Sequence, residues 1–217
     1  MDPIIVGLAG GTGSGKTTCA KTIGSVIVVD IAAKLGIDLT FLRISMDSYY
    51  RDRSDLTPIE RTRVNYDELD AIEDPLLLEH LEALRSGQSV MRPVYCFNTH
   101  SRSHRTEAMH PTDIIVVEGL FPFCYDGLRD TFDLRLYLDT DLDTSLARRK
   151  RRDQNERGRM VEDIERQFEE TVIPGHHLYV APSARYAHLP LVWDGDVTDA
   201  VAQIQGRLEE LVVRRAA

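Results

Sequence analysis

Cysteine is scarce in this chain: Cys19, Cys96 and Cys124 are widely spaced, odd in number and form no C-x-x-C pair. That argues against a disulfide framework or a zinc knuckle and fits a reducing compartment. Long apolar runs are lacking too. The most apolar stretch after the start, Val26 to Ala33, is broken by Asp30 and falls far short of the roughly 20 residues a bilayer helix needs. Met1-Asp2-Pro3 carries no basic region of a secretory signal. Cations are the minority charge, 26 Lys and Arg against 35 Asp and Glu for a net of −9, which speaks against a nucleic-acid groove. Repeats, low-complexity tracts and linkers are also missing. The expectation is one soluble cytoplasmic domain over 1–217, with no membrane or nucleic-acid partner. Such a length buries about 70% of the surface of its unfolded chain.

What the chain does have is glycine in one place. Gly10-Gly11-Thr12-Gly13-Ser14-Gly15-Lys16-Thr17 satisfies the G-x-x-x-x-G-K-[ST] phosphate loop. The apolar run Ile4 to Ala9 before it suits a buried strand; Thr18, Ala20 and Ile23 after it suit a helix. Backbone N–H groups of such a loop wrap anionic phosphates, and the helix that follows aims its positive end at them. Lys16 adds a full charge for the β/γ-phosphates, and the Thr17 hydroxyl suits a magnesium ion. A plain glycine-rich turn would need neither residue. The expected ligand is a nucleoside triphosphate, ATP or GTP, held by Gly10 to Thr18.

Periodicity sketches the rest. Ile23, Ile27 and Ile31 recur at helical spacing to about Leu35, with Gly36 as the stop, although Val26 to Val29 is β-branched enough to extend. Thr40 to Ser45 reads as the second strand and Asp52 to Asn65 as loop with a short helix. Asp74-Pro75 opens a helix striped by Leu76, Leu77, Leu78, Leu81 and Leu84 and stopped at Gly87. Val90 to Phe97 and Ser103 to Met109 read as two extended arms around a polar turn. Ile114 to Val117 and Leu134 to Leu138 read as buried strands, the latter followed by an Asp139-Thr140-Asp141 cap and a basic helix to about Arg152. Leu191 to Trp193 and an amphipathic helix over Asp199 to Val213 close the chain. Strands alternating with helices imply a parallel sheet covered on both faces.

Ligands of such sheets collect at the carboxyl ends of the strands. Asp47 and Glu118 arrive there with the phosphate loop, and carboxylates ending strands are the oxygen donors a magnesium ion wants. Each could instead cap a turn. Arg148, Arg149, Lys150, Arg151 and Arg152 end a helix, and Arg157 and Arg159 follow around Gly158. This cluster reads as a solvated face, an import or nucleic-acid patch, or a lid whose guanidinium forks meet phosphate oxygens. Mutual repulsion among adjacent cations favours the lid, with an anion on one side.

The set GGTGSGKTT, MDSYYRD (Met46–Asp52), NYD (Asn65–Asp67), PVYCFNTHSR (Pro93–Arg102), VVEG (Val116–Gly119) and RRDQNERGR (Arg151–Arg159) resembles the uridine–cytidine kinases of the phosphoribulokinase/uridine kinase family. The resemblance runs in order from about Ile4 to His188. It implies a P-loop NTPase-type α/β fold with helices on both faces of a parallel sheet, plus a nucleoside-binding β-arm over about 90–109 and an arginine-rich lid over about 148–160. It also implies transfer of the γ-phosphoryl group of ATP or GTP to the 5′-hydroxyl of uridine or cytidine, with Mg2+, in a homo-oligomer.

Carried over by position, the resemblance makes Asp47 the catalytic base. Lys16 and the lid arginines Arg152, Arg157 and Arg159 act on the phosphoryl group, with Thr17, Asp47 and Glu118 around the metal. Asp67 and Arg149 fall where the ribose is held; Tyr66, Tyr95, Phe97 and His100 surround the pyrimidine, with Tyr50, Arg102 and Gln167 nearby. The chemistry is reasonable on its own terms: an attacking hydroxyl must lose a proton, ribose hydroxyls want a carboxylate, and a flat base wants aromatic walls. Singly, each aromatic suits a core better than a pocket wall, and the i, i+4 spacing of His100 and His104 could present a metal, but the surrounding Ser, Thr and Asn argue against it. Cys96, Glu68-Leu69, Arg185, His188 and the length between Ile23 and Leu39 depart from the family pattern. Rival readings are a related kinase with another alcohol acceptor, a switch NTPase (although no N-K-x-D string occurs) and a silent binding module.

Overall fold

In the computed structural model, which describes residues 2–216, the run Ile4–Gly10 (β1) is buried at every position and is the sheet's central strand. The other strands of that sheet are Phe41–Ser45 (β2), Ile114–Gly119 (β5), Leu134–Asp139 (β6) and Leu189–Val192 (β7), in the order β2-β5-β1-β6-β7, all parallel. Alternation sorts their side chains into two cores. Ile4, Val6, Leu8, Val116, Leu136 and Leu138 pack under the first and last helices, while Ile5, Ala9, Ile44, Ile115 and Val117 face Leu77, Leu81, Phe123 and Phe132. Full burial of each such side chain is worth about 1.5–3 kcal/mol, so the unbroken apolar strands dictate a sheet covered on both sides.

The helix after the phosphate loop (α1) runs through Lys16–Thr22, Ile23–Ile27 and Val28–Leu35 and ends at Gly36, which takes the left-handed conformation with φ 66°. Helical spacing therefore prevails over the β-branched run. The middle segment is a π-turn, which absorbs an extra residue without breaking the helix. A short helix Pro58–Arg61 (α2) starts with a capping box between Thr57 and Glu60. The leucine-rich helix Asp74–Arg85 (α3) starts one residue earlier than an Asp74 cap would put it.

Val90–Cys96 (β3) and Ser101–Met109 (β4) form a separate antiparallel ribbon, the expected arm. Asp126–Thr131 (α4) has no counterpart among the elements expected from sequence. Leu142–Arg157 (α5) is capped by Asp141 and continues past Arg152 through Arg157, so only Gly158 and Arg159 form the turn. Val161–Gln167 opens a long helix (α6) that passes through two π-turns, Phe168–Val172 and His176–Val180, to Ser183. Thr198–Ala216 (α7) lays Ala200, Ile204, Leu208 and Val212 on the sheet.

Candidate active site

The glycines of the phosphate loop are demanded by neighbours as much as by φ. At Gly13 (φ 70°) a Cβ would stand 2.6 Å from the Ser145 carbonyl oxygen, and at Gly15 (φ 91°) 2.7 Å from the Trp193 ring. The loop therefore lies pressed between α5 and the end of β7. Lys16 Nζ donates to the Gly11 carbonyl at 2.6 Å. Burial lowers its pKa to about 8, against the opposing pull of Glu118 and Asp47.

Glu118, at the end of β5, is 4% exposed and accepts from Arg43 Nη1 at 2.8 Å and from the Thr17 hydroxyl at 3.3 Å. Burial and the nearby Asp47 carboxylate raise its pKa, while Lys16 and Arg43 oppose the rise. Asp47 leaves β2 on a single 3-10 turn, Met46–Tyr49, and lines the same cleft as Lys16, Thr17 and Glu118. A hydroxyl and two carboxylates whose charges oppose each other are a donor set that suits a hydrated divalent cation completed by nucleotide oxygens. Among the described residues no group of three or more His, Cys, Asp and Glu converges as a metal cage.

The cleft, about 120 Å³ in volume, continues from Thr12, Gly13, Lys16 and Thr17 to Asp67, Arg149, Gln167 and a box of rings. Tyr66 and His100 stack with centroids 5.3 Å apart and planes 22° apart. Tyr50 meets Tyr66 edge-on at 5.4 Å, and Tyr95 meets Phe97 edge-on at 5.3 Å. His100, at the tip of the β3–β4 ribbon, is the sole non-glycine with positive φ (49°) among the described residues. Residues held there for no packing reason cluster at functional sites. Burial and the flanking Arg159, Arg157 and Arg61 lower its pKa, keeping the ring neutral. The Tyr95 hydroxyl is buried without a hydrogen-bond partner.

Asp67 is 7% exposed and accepts from the Thr171 hydroxyl at 2.7 Å; its N–H donates to Asn65 Oδ1 at 3.0 Å. Burial raises its pKa, while Thr171 and Arg149 oppose the rise. Arg149, equally buried, donates to Gln167 Oε1 at 2.8 Å, as does Arg159. Arg152, Arg157 and Arg159 line the cleft from the end of α5 and the turn beyond, and the Arg157 guanidinium lies 3.9 Å over the Phe97 ring. The basic run divides around its helix: Arg148 pairs with Asp194 at 2.6 Å, Lys150 with Glu165, and Arg151 faces solvent.

Of the residues singled out from sequence, the cleft gathers Thr12, Gly13, Lys16, Thr17, Asp47, Tyr50, Tyr66, Asp67, Tyr95, Phe97, His100, Glu118, Arg149, Arg152, Arg157, Arg159 and Gln167. Gly10 and Ser14 are buried beneath the loop, and Gly11 borders a hollow next to His176. Gly15 and Thr18 face a second groove with Arg148, Trp193 and Asp194. Arg102 is the exception. It does not line the cleft but donates to the Tyr50 and Tyr49 carbonyls at 2.8 and 3.3 Å and pairs with Glu73 at 2.7 Å, bracing Tyr50 from behind. Sequence alone gives no role to Arg43, Thr171, Asp153 or the Arg148–Trp193 groove: Arg43 and Thr171 lie outside the motifs, Asp153 lies inside RRDQNERGR with nothing local to mark it among the arginines, and each acts through tertiary contact.

A phosphate loop, a strand-end carboxylate facing it and an arginine-bearing helix over the strand ends define a P-loop kinase. The sequence profile of the Phosphoribulokinase / Uridine kinase family matches residues 5–196, and the chain belongs to that family. It is 37% identical over 210 residues to a uridine kinase of Clostridium tetani, covering 97% of this chain and 96% of that one. It is 36% identical over 214 residues to a uridine kinase of Halalkalibacterium halodurans, covering 99% and 97%. Among solved structures, a putative fructose transport system kinase from Silicibacter sp. TM1040 shares the fold with a TM-score of 0.66 at 19% identity, covering 89% of this chain and 90% of that one.

Proposed function

We propose that this protein transfers the γ-phosphoryl group of ATP to the 5′-hydroxyl of uridine or cytidine, giving UMP or CMP. The observation that carries this is one continuous cleft joining a phosphate loop, Asp47 and a box of aromatic rings. Near full-length kinship at 36–37% identity with uridine kinases supports the same acceptor. A sugar phosphate or small alcohol would leave Tyr66, Tyr95, Phe97 and His100 with nothing flat to hold.

In this reading the loop amides and Lys16 hold the donor's phosphates. Asp67 accepts from the ribose hydroxyls, with Arg149 and Gln167 beside it. The neutral His100 and the Tyr95 hydroxyl offer hydrogen-bonding groups to the pyrimidine edge. The nucleoside's 5′-hydroxyl then lies toward Asp47, which takes its proton as the oxygen attacks phosphorus; such general-base assistance contributes about 10²- to 10⁴-fold. Bound Mg2+ would be held by Thr17 with Glu118 and Asp47 and would supply charge neutralisation on the donor's phosphates. Arg152, Arg157 and Arg159 meet the charge that develops on the transferred group and exclude water.

The test is ADP release with uridine, cytidine, adenosine, a panel of non-nucleoside alcohols or no acceptor. Release that depends on uridine or cytidine supports the proposal. Release only with a non-nucleoside alcohol moves the acceptor assignment, and equal release with and without any acceptor identifies a hydrolytic switch.

A further inference from the structure

The most heavily paired carboxylate among the described residues sits inside the RRDQNERGR segment, yet sequence alone assigns it no role. Asp153 lies within α5 with its side chain 0% exposed, and four guanidinium groups converge on it. Arg152 approaches Oδ1 at 2.8 Å and Arg157 at 3.1 Å, while Arg159 approaches Oδ2 at 3.3 Å and Arg149 at 3.6 Å. Its backbone carbonyl accepts from the N–H groups of Gly158 and Arg159, which fixes the turn after the helix. All four arginines line the cleft; Asp153 itself does not. Arg149 stands on the Asp67 and Gln167 side, whereas Arg157 reaches across to Phe97 on the arm.

Four like charges within reach of one another repel, and long arginine side chains lose considerable rotamer freedom when held. A single carboxylate cannot neutralise four guanidinium groups, so the cluster keeps an excess of positive charge directed at the cleft. Resting on the kinase reading of that cleft, we propose that Asp153 is a positioning residue. It holds the acceptor-side Arg149 and the lid arginines Arg152, Arg157 and Arg159 in one array before the phosphoryl group arrives, and it couples nucleoside binding to lid geometry. Arrays organised in advance stabilise a transition state without reorganisation during the reaction.

The test compares Asp153→Asn, which removes the charge, and Asp153→Glu, which keeps the charge but shifts the carboxylate by one methylene. Three readouts are taken on the full chain: steady-state kinetics, binding of a non-hydrolysable ATP analogue with and without uridine, and labelling of individual arginines by phenylglyoxal. Misplacement of catalytic groups by about 1 Å costs about 10²-fold in rate. The expectation is a kcat lower by about that factor in Asp153→Glu, with an unchanged melting temperature and near-unchanged analogue affinity in the absence of uridine. Any enhancement of analogue binding by uridine in the parent is lost in the variant, and Arg152, Arg157 and Arg159 label faster. Wild-type kcat and labelling in Asp153→Glu overturn the proposal, even if Asp153→Asn fails to fold. A parent that does not phosphorylate uridine or cytidine refutes the acceptor assignment instead; the labelling and the analogue binding then still decide the role of Asp153.

Discussion

Two glycines inside helices separate local propensity from tertiary contact, and the structure fixes the sign at each. Gly175 adopts ordinary helical angles (φ −62°, ψ −37°) in α6, so alanine there should gain about 1 kcal/mol of helix propensity. A Cβ at that position, however, would overlap the Asp67 carbonyl oxygen and stand 3.0 Å from the Asp67 Cβ. Backbone cannot swing aside as a flexible side chain would, and overpacking of this kind costs about 1–3 kcal/mol. The clash therefore equals or exceeds the propensity gain, and its relief has to move Asp67. Gly206, in the middle of α7, has nothing within 4 Å of the place a Cβ would occupy, so alanine there keeps the whole gain. By thermal melting, Gly206→Ala should raise Tm by about 2–4 °C for a chain of this size, whereas Gly175→Ala should leave Tm unchanged or lower it. The kinetic signature is sharper: Gly175→Ala raises the KM for uridine while the KM for ATP stays close to the parent value. A Gly175→Ala protein as stabilised as Gly206→Ala, with an unchanged uridine KM, would refute the reasoning that the π-turned helix fixes the position of Asp67.

Three further outcomes follow from the cleft. Asp47→Asn should leave ATP-analogue binding nearly intact and reduce kcat by about 10²- to 10⁴-fold; near-normal turnover in a phosphate-transfer assay removes Asp47 from the mechanism. His100→Ala should raise the KM for nucleoside more than that for ATP, and an unchanged nucleoside KM would make the residue's positive φ a structural matter only. Burial holds Lys16 at about 8 in the free protein, and anionic phosphates favour its charged form, so nucleotide binding takes up a proton above that pH. Affinity for an ATP analogue, followed by Trp193 fluorescence, should thus weaken as pH rises through about 8. The nucleotide-free fold moves oppositely between about 8 and the ordinary 10.5, because there the unfolded chain binds more protons. A flat affinity profile over that range would contradict the role given to Lys16.

The parts legible in sequence are those whose information is local. The unbroken apolar runs of β1 and β5, the glycines of the loop and the Gly36 stop all report φ, burial or period directly. The placement of Asp47 and Glu118 in the cleft is legible because both lie at the carboxyl ends of strands in a parallel sheet, where the phosphate loop also emerges. Helix α6 is not: its two π-turns break the 3.6-residue period, and Pro174 and Pro182 interrupt it, so no simple stripe survives. The end of α5 is hard to place because an arginine-rich segment offers no apolar stripe at all, and Gly158, not the charge run, marks its stop. Arg102 shows the opposite failure. Its motif position suits a ligand contact, yet three backbone and side-chain oxygens behind Tyr50 claim its guanidinium. Arg43 and Thr171 are invisible because each is an ordinary strand or helix residue until the chain closes on Glu118 and Asp67.

The net charge that argues against nucleic acid is reconciled with an anionic substrate by where the charges sit. Lys16, Arg149, Arg152, Arg157 and Arg159 line the cleft against Asp47, Asp67 and Glu118, an excess of two positive charges. In a chain of net −9 this leaves −11 elsewhere. Screening confines exposed charges to about 8 Å at physiological salt, so a bound phosphate experiences the array around it rather than the distant acidic surface. The same separation disfavours extended polyanions, which would have to lie along that surface, while a nucleotide needs only the cleft. Positive charge concentrated in this way is stable only if something holds it there. Asp153, which lines no part of the cleft, is what permits four guanidinium groups to gather beside a phosphate loop before any phosphate arrives.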